Sequence, residues 1–149
     1  MSSLHRAEHI LEAVKARLTG LATTGSNVQR ARVYNFADTV RDALTIQMGA
    51  DAPIDQAGDG NIAFRDHVLE VQVTAHVKST AIDTRLNLIK AEVIVAMLQD
   101  RTLGLSYVID TDEQGWQAPI MTDESDMRAA QCTGIFTVHY RRSYNDPTQ

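Results

Sequence analysis

Apolar residues at Leu4, Ala7, Ile10, Leu11, Val14 and Leu18 recur at spacings of three and four, while Arg6, Glu8, Glu12, Lys15 and Arg17 fall elsewhere on the wheel. This pattern predicts an amphipathic helix, with Ser2 or Ser3 placed to cap its start and Gly20 where it should stop. A polar stretch from Thr23 to Asn27 leads into strand-like alternation over Val28 to Tyr34, and Ala43 to Met48 forms a second short strand candidate. The strongest strand signal begins at His67. Leu69, Val71, Val73, Ala75 and Val77 alternate with Glu70, Gln72, Thr74, His76 and Lys78, so one face is apolar and the other polar. Continued from Arg65, this strand exceeds the usual five or six residues, which predicts that it bends or extends past its own domain.

A second helix is expected from Thr80 and Asp83, which supply cap chemistry, to about Gln99, with Ile82, Leu86, Ile89, Val93, Ala96 and Met97 on one face. Ile94 and Val95 point away from that face. An end apolar nearly all round (VIVAML) implies a second neighbour, from the same chain or another copy. Leu105 to Ile109 should start a strand, and Asp110 to Gly115 reads as a polar turn ahead of Trp116. The closing strand runs from Ala129 to about Arg142, with Cys132, Gly134, Phe136, Val138 and Tyr140 sharing a face, and the tail SYNDPTQ is expected to fray. Helix, strands, helix, strands gives an α+β domain: a mainly antiparallel β-sheet with two amphipathic helices packed on one face.

The one long loop spans about 49–64, beginning GADAPIDQAGDGN, and a loop of that length is the first place to look for a contact surface. Asp51, Ile54, Asp55, Asp59, Ile62 and Phe64, with Ile94 and Val95 on the second helix, form the candidate interface set.

The chain has 149 residues, enough for one domain and too few for two ordinary ones. Its 44% hydrophobic and 22% charged content is globular and unlike disorder. With 19 acidic against 14 basic side chains the net charge is -5, which disfavours a protein that grips nucleic acid by its phosphates. A lone Cys132 forms no intramolecular disulfide and makes no thiolate zinc site alone. The longest strongly apolar run, Val93 to Leu98, falls far short of a membrane span, and MSSLHRAEHIL lacks a signal-type apolar region, so the chain reads as soluble and unsecreted.

Candidate chemistry is sparse. His5, His9 and Glu12 match in type a two-histidine, one-carboxylate metal set, but a solvated helix face explains them as well. Asp55 to Asp66 imitates a calcium loop through Asp55, Asp59, Gly60, Ile62 and Asp66. It lacks the acid at position three and the closing Glu, and a strand follows where a helix is required. Asp110, Asp112 and Gly115 echo it faintly. Cys132 alternates with apolar neighbours and reads as an inert buried thiol, whereas His76 and His139 sit on strands where they could meet a carboxylate across the sheet. No nucleophile elbow and no phosphate-binding glycine pattern occurs, so an enzyme is not expected and neither cofactor nor metal is assigned.

Taken along its whole length, the chain resembles the tail terminator, or minor tail protein U-like, family of long-tailed bacteriophages. The resemblance lies in order: the helix HRAEHILEAVKARL, the strand ARVYNF, a polar loop, the long strand FRDHVLEVQVTAHV, the helix DTRLNLIKAEVIVAML closing in QDRTLGL, an acidic hairpin and the strand GIFTVHYRR. Asp100, Thr102, Leu103 and Gly104 after the helix, and Tyr140 with Arg141 ending the last strand, carry it furthest. The resemblance implies a virion protein made in the host cytoplasm that forms a homohexameric ring at the head-proximal end of the tail tube. It would stop polymerisation of the tail tube protein and dock the head-tail connector protein, with the tape measure protein as a further partner, no membrane and no reaction catalysed. DNA would pass through the lumen without specific binding, and the charge of -5 per chain then implies an acidic or neutral channel wall. A head-completion or tail tube protein is the nearest alternative. A small cytosolic ligand- or metal-binding α+β domain is the alternative of another class.

Overall fold

A computed structural model describes residues 4–31, 41–54, 63–124 and 127–149. Along the chain lie α1 (Arg6–Leu18), β1 (Val28–Arg30), β2 (Asp42–Pro53), β3 (Phe64–Lys78), α2 (Ile82–Leu98), β4 (Val108–Trp116), β5 (Ile120–Glu124) and β6 (Met127–Ser143). The strands form one sheet in the order β1-β2-β3-β6-β4, with β5 also pairing β6. Only β1 against β2 is parallel among these pairs, so the expected α+β class with a mainly antiparallel sheet is what the chain adopts.

Period-two alternation puts Leu69, Val71, Val73, Ala75 and Val77 on one face of β3, and Cys132, Phe136, Val138 and Tyr140 extend that face across β6. Ile10, Leu11, Val14 and Leu18 of α1 and Leu86, Ile89, Val93 and Met97 of α2 close over it as a single core. Both helices therefore lie on one side, each apolar side chain among them contributing about 1.5–3 kcal/mol by leaving water. Gly134 exists for this packing: a Cβ there would stand 2.6 Å from the Trp116 indole, which lies across it. Leu4, the first residue of the helical pattern, precedes α1 and is exposed.

Several boundaries differ from expectation, each for a local reason. The N-cap of α1 is His5, whose Nδ1 accepts the Ala7 N–H at 3.0 Å, in place of Ser2 or Ser3, which lie outside the described residues. The cap residue of α2 is Ala81, with no side-chain cap bond, because the Ser79 hydroxyl takes the Ala81 N–H at 3.1 Å before the helix starts. β1 covers only Val28–Arg30, and residues 32–34 of the expected strand lie outside the described residues.

The expected loop beginning at Gly49 is, over its first residues, strand. β2 runs on to Pro53 through a register shift between Met48 and Asp51, and the Glu70 side chain lies close over Gly49, where a Cβ would stand 2.7 Å from its carboxylate oxygen. Asp110 to Gly115 is likewise strand and not a turn. β4 pairs with β6 throughout that stretch, shifting register before Asp110 and before Gly115, and these shifts erase the alternation that marks a strand in sequence. The tail folds back in place of fraying. Pro147 C=O accepts the Arg6 N–H at 2.9 Å, Tyr144 N–H reaches Ala63 C=O at 3.0 Å, and Ser143 N–H bonds Gln149 C=O.

Candidate functional site

Two kinds of feature stand out from the scaffold: a polar cluster where β2, β3 and β6 meet, and exposed apolar surface on α2 and at the N-terminal end of α1.

His67 shares the core face of β3 with Leu69 and is only 6% exposed. Its neighbours are Tyr140, with ring centroids 5.7 Å apart, and Asp51, whose Oδ1 lies 3.4 Å from His67 Nδ1. Tyr140 O–H donates to Asp51 Oδ2 at 2.8 Å. Burial, reinforced by Arg142, pushes the His67 pKa below its ordinary value despite the opposing pull of Asp51. Burial and the bond to Asp51 likewise push the Tyr140 hydroxyl above its usual range. On the opposite face of β3, buried Asp66 accepts from Arg141 Nε at 2.6 Å and lies 3.0 Å from His139 Nε2. Arg141 and then His139 hold its carboxyl below the usual range, outweighing its burial. His139 thus meets a carboxylate across the sheet, whereas His76 Nε2 stands 3.0 Å from the Thr45 hydroxyl.

These groups bind one another and none lines a substrate cleft. Of the two cavities at the ends of α1, one lies away from them and the other meets them only through Arg141, and neither pairs a nucleophile with a base. Cys132 is buried and directs its S–H to Gln117 C=O at 3.0 Å. Of the candidate metal sets, His5 is occupied as a helix cap and Glu12 pairs with Arg30, which also holds Glu8. Asp110 and Asp112 face Arg101, at 2.5 and 3.9 Å. Among the described residues no group of three or more His, Cys, Asp or Glu side chains is placed to hold a metal ion, and no helix is long and apolar enough to cross a membrane.

The expected interface residues separate. Asp55, Asp59 and Ile62 lie outside the described residues, as does most of the calcium-like loop. Asp51 is on β2 and not in a loop, an exposed residue whose carboxylate accepts from Tyr140 and approaches His67. Ile54 is half-buried and its N–H donates to Asp66 C=O at 2.9 Å. Phe64 opens β3 with 54% of its surface exposed. On α2, Ile94 packs against the core after all, while Val95 is 65% exposed.

The structure adds what the spacing did not mark. Leu88, Ala91 and Val95 form an exposed apolar row on α2, at intervals of three and four. Beside it, a groove of about 580 Å³ runs between α2 and the C-terminal end of α1, lined by Arg17, Leu21, Ala22, Glu92, Val95 and Ala96 among others. A smaller cavity of about 300 Å³ sits at the other end of α1, lined by Arg6, Phe64, Ser106, Tyr107, Ile109 and Arg141. The Arg6 guanidinium lies 4.3 Å from the centre of the Tyr107 ring. No known protein-family model and no curated protein matches this sequence.

Proposed function

We propose that this protein is a ring-forming structural subunit of the phage tail terminator type, working through contacts between copies and with a tail tube, and not through catalysis. The observation that carries the reading is the exposed row Leu88, Ala91 and Val95 beside the groove at the end of α1. A helix that has already buried Leu86, Ile89, Val93 and Met97 in its own core gains nothing from a second apolar row in water, and such a row marks a surface that another protein covers. The order of elements supports the same reading. The polar clusters pair chiefly with one another, Asp66 with Arg141 and His139 and Asp51 with Tyr140, and neither opens on a cleft that holds a nucleophile beside a base.

The test is the mass of the purified protein by light scattering, alone and mixed with polymerising tail tube subunits, together with electron microscopy. Closed rings that halt tube growth support the terminator reading. Continuous tubes formed by this chain alone would make it a tube subunit, and a monomer under every condition would remove both.

A further inference from the structure

We propose that His5 is a pH-sensitive latch: while its Nδ1 is bare it caps α1 and holds the first helical turn against the tail that follows β6, and on protonation it releases both. The proposal concerns the fold of this chain and stands apart from the ring reading above. A backbone amide carries one hydrogen and can only donate, so the 3.0 Å contact from Ala7 N–H to His5 Nδ1 exists only while that nitrogen offers its lone pair. The imidazole making this bond is therefore neutral, with its proton on Nε2. Caps made by Ser, Thr, Asn or Asp keep their acceptor oxygen between pH 5 and 8, whereas an imidazole changes from acceptor to donor within that range. Once protonated, the ring turns an N–H toward an N–H and sets a positive charge at the positive end of the helix dipole.

What the cap holds reaches beyond α1. Glu8 N–H bonds His5 C=O at 2.9 Å, Ala7 N–H bonds the imidazole, and Arg6 N–H bonds Pro147 C=O at 2.9 Å. The tail thus docks on the turn whose geometry His5 sets. Its remaining hold is light: Tyr144 N–H to Ala63 C=O, Ser143 N–H to Gln149 C=O, and the Tyr144 ring 5.7 Å from the Arg65 guanidinium, with no tail residue in the hydrophobic core. The charged and titratable groups around the turn are Arg6, Glu8 and His9 on α1, Arg30 on β1, Tyr107 ahead of β4, Arg141 on β6 and Asp146 in the tail. Arg30 binds Glu8, Arg6 lies over the Tyr107 ring and donates to Arg141 C=O, and Asp146 accepts from Thr148 and faces Arg6. Among the described residues no carboxylate stands within ion-pair distance of His5, so the charge gained in acid meets no partner there.

The experiment is residue-resolved hydrogen exchange at pH 7.5 and pH 5, corrected for the intrinsic rate at each, followed at the amides of Arg6, Ala7 and Tyr144. In the wild type, protection at all three should fall roughly tenfold with acid. His5→Asn, an acceptor at both pH values, should keep its protection, and His5→Ala, with no cap, should exchange fast at both. His9→Gln should respond as the wild type does. None of these changes touches a core side chain, and circular dichroism checks that the rest of the fold is intact at both pH values. Equal wild-type protection at the two pH values would overturn the latch, and so would His5→Ala as protected as the wild type at pH 7.5. A His5→Asn variant that loses protection in acid would overturn it too, by placing the response on His67 or another group. Loss at Arg6 and Ala7 with Tyr144 still protected would overturn the coupling to the tail.

Discussion

Tyr140 O–H donates to Asp51 Oδ2 at 2.8 Å, joining residues 89 positions apart and tying β6 to β2 across the intervening β3. The phenol is buried, so the bond is made away from competing water. Tyr140→Phe keeps the ring and removes the donor, leaving Asp51 with His67 alone. It should destabilise the fold by about 1–2 kcal/mol, read as a lower urea midpoint at unchanged m-value. An unchanged midpoint would show that the bond adds nothing.

Acid should act on this cluster through His67. Arg142 and Arg65 face the imidazole along with Asp51 and Tyr140, and burial with Arg142 lowers its pKa in the folded state. The contribution to stability is therefore complete above the unfolded value of about 6.5 and is lost as pH falls below it. Melting temperature should drop between pH 7 and pH 5 in the wild type, and His67→Phe should flatten that slope. Equal slopes would place the titrating group elsewhere.

A second window belongs to Asp66. Its carboxyl is depressed by Arg141 and then His139, so its contribution is present above the ordinary value of 3.8 and fades as pH falls below that. Asp66→Asn should cost about 1–2 kcal/mol near neutrality, since half-exposed Arg141 recovers part of its solvation. The difference from wild type should shrink toward pH 3, which chemical denaturation at several pH values can follow.

Gly134 is a packing requirement. Adding a methyl there drives it into the Trp116 indole, and overpacking of this kind costs about 1–3 kcal/mol. Trp116 is the single tryptophan, so Gly134→Ala should also shift the protein's emission as the ring is displaced. A variant with native emission and native stability would contradict the contact.

Val95→Asp addresses the exposed row. Val95 has little to lose from its own core, so folding free energy should change by less than about 0.5 kcal/mol. Association between copies should fall sharply, which light scattering will read. A large loss of stability with intact association would mean the row belongs to the fold.

Much of this architecture is legible in the chain. The faces of α1, α2, β3 and β6 follow directly from periods of 3.6 and two, because each buries one side against a single core. His67 was legible too: it has the same parity as Leu69 and Val71, which places an imidazole inside the core face. What escaped are β4 and the second half of β2, where register shifts break the alternation and Gly, Asp and Pro imitate a loop. The groove escaped for another reason. Glu92 occupies an ordinary polar helix position, and only the packing of α1 on α2 decides that one of its carboxylate oxygens is sheltered.

The last strand also imposes an order on biosynthesis. β6 lies between β3 on one side and β4 and β5 on the other, and it pairs with β3 along that strand's whole length. Until the ribosome has made the chain through Ser143, one hydrogen-bonding edge of β3 has no strand to pair with, and the core that α1 and α2 form over β3 lacks the side chains of β6. A nascent chain halted before β6 is therefore left with an open strand edge that is prone to pair with other chains, and synthesis of β6 seals it.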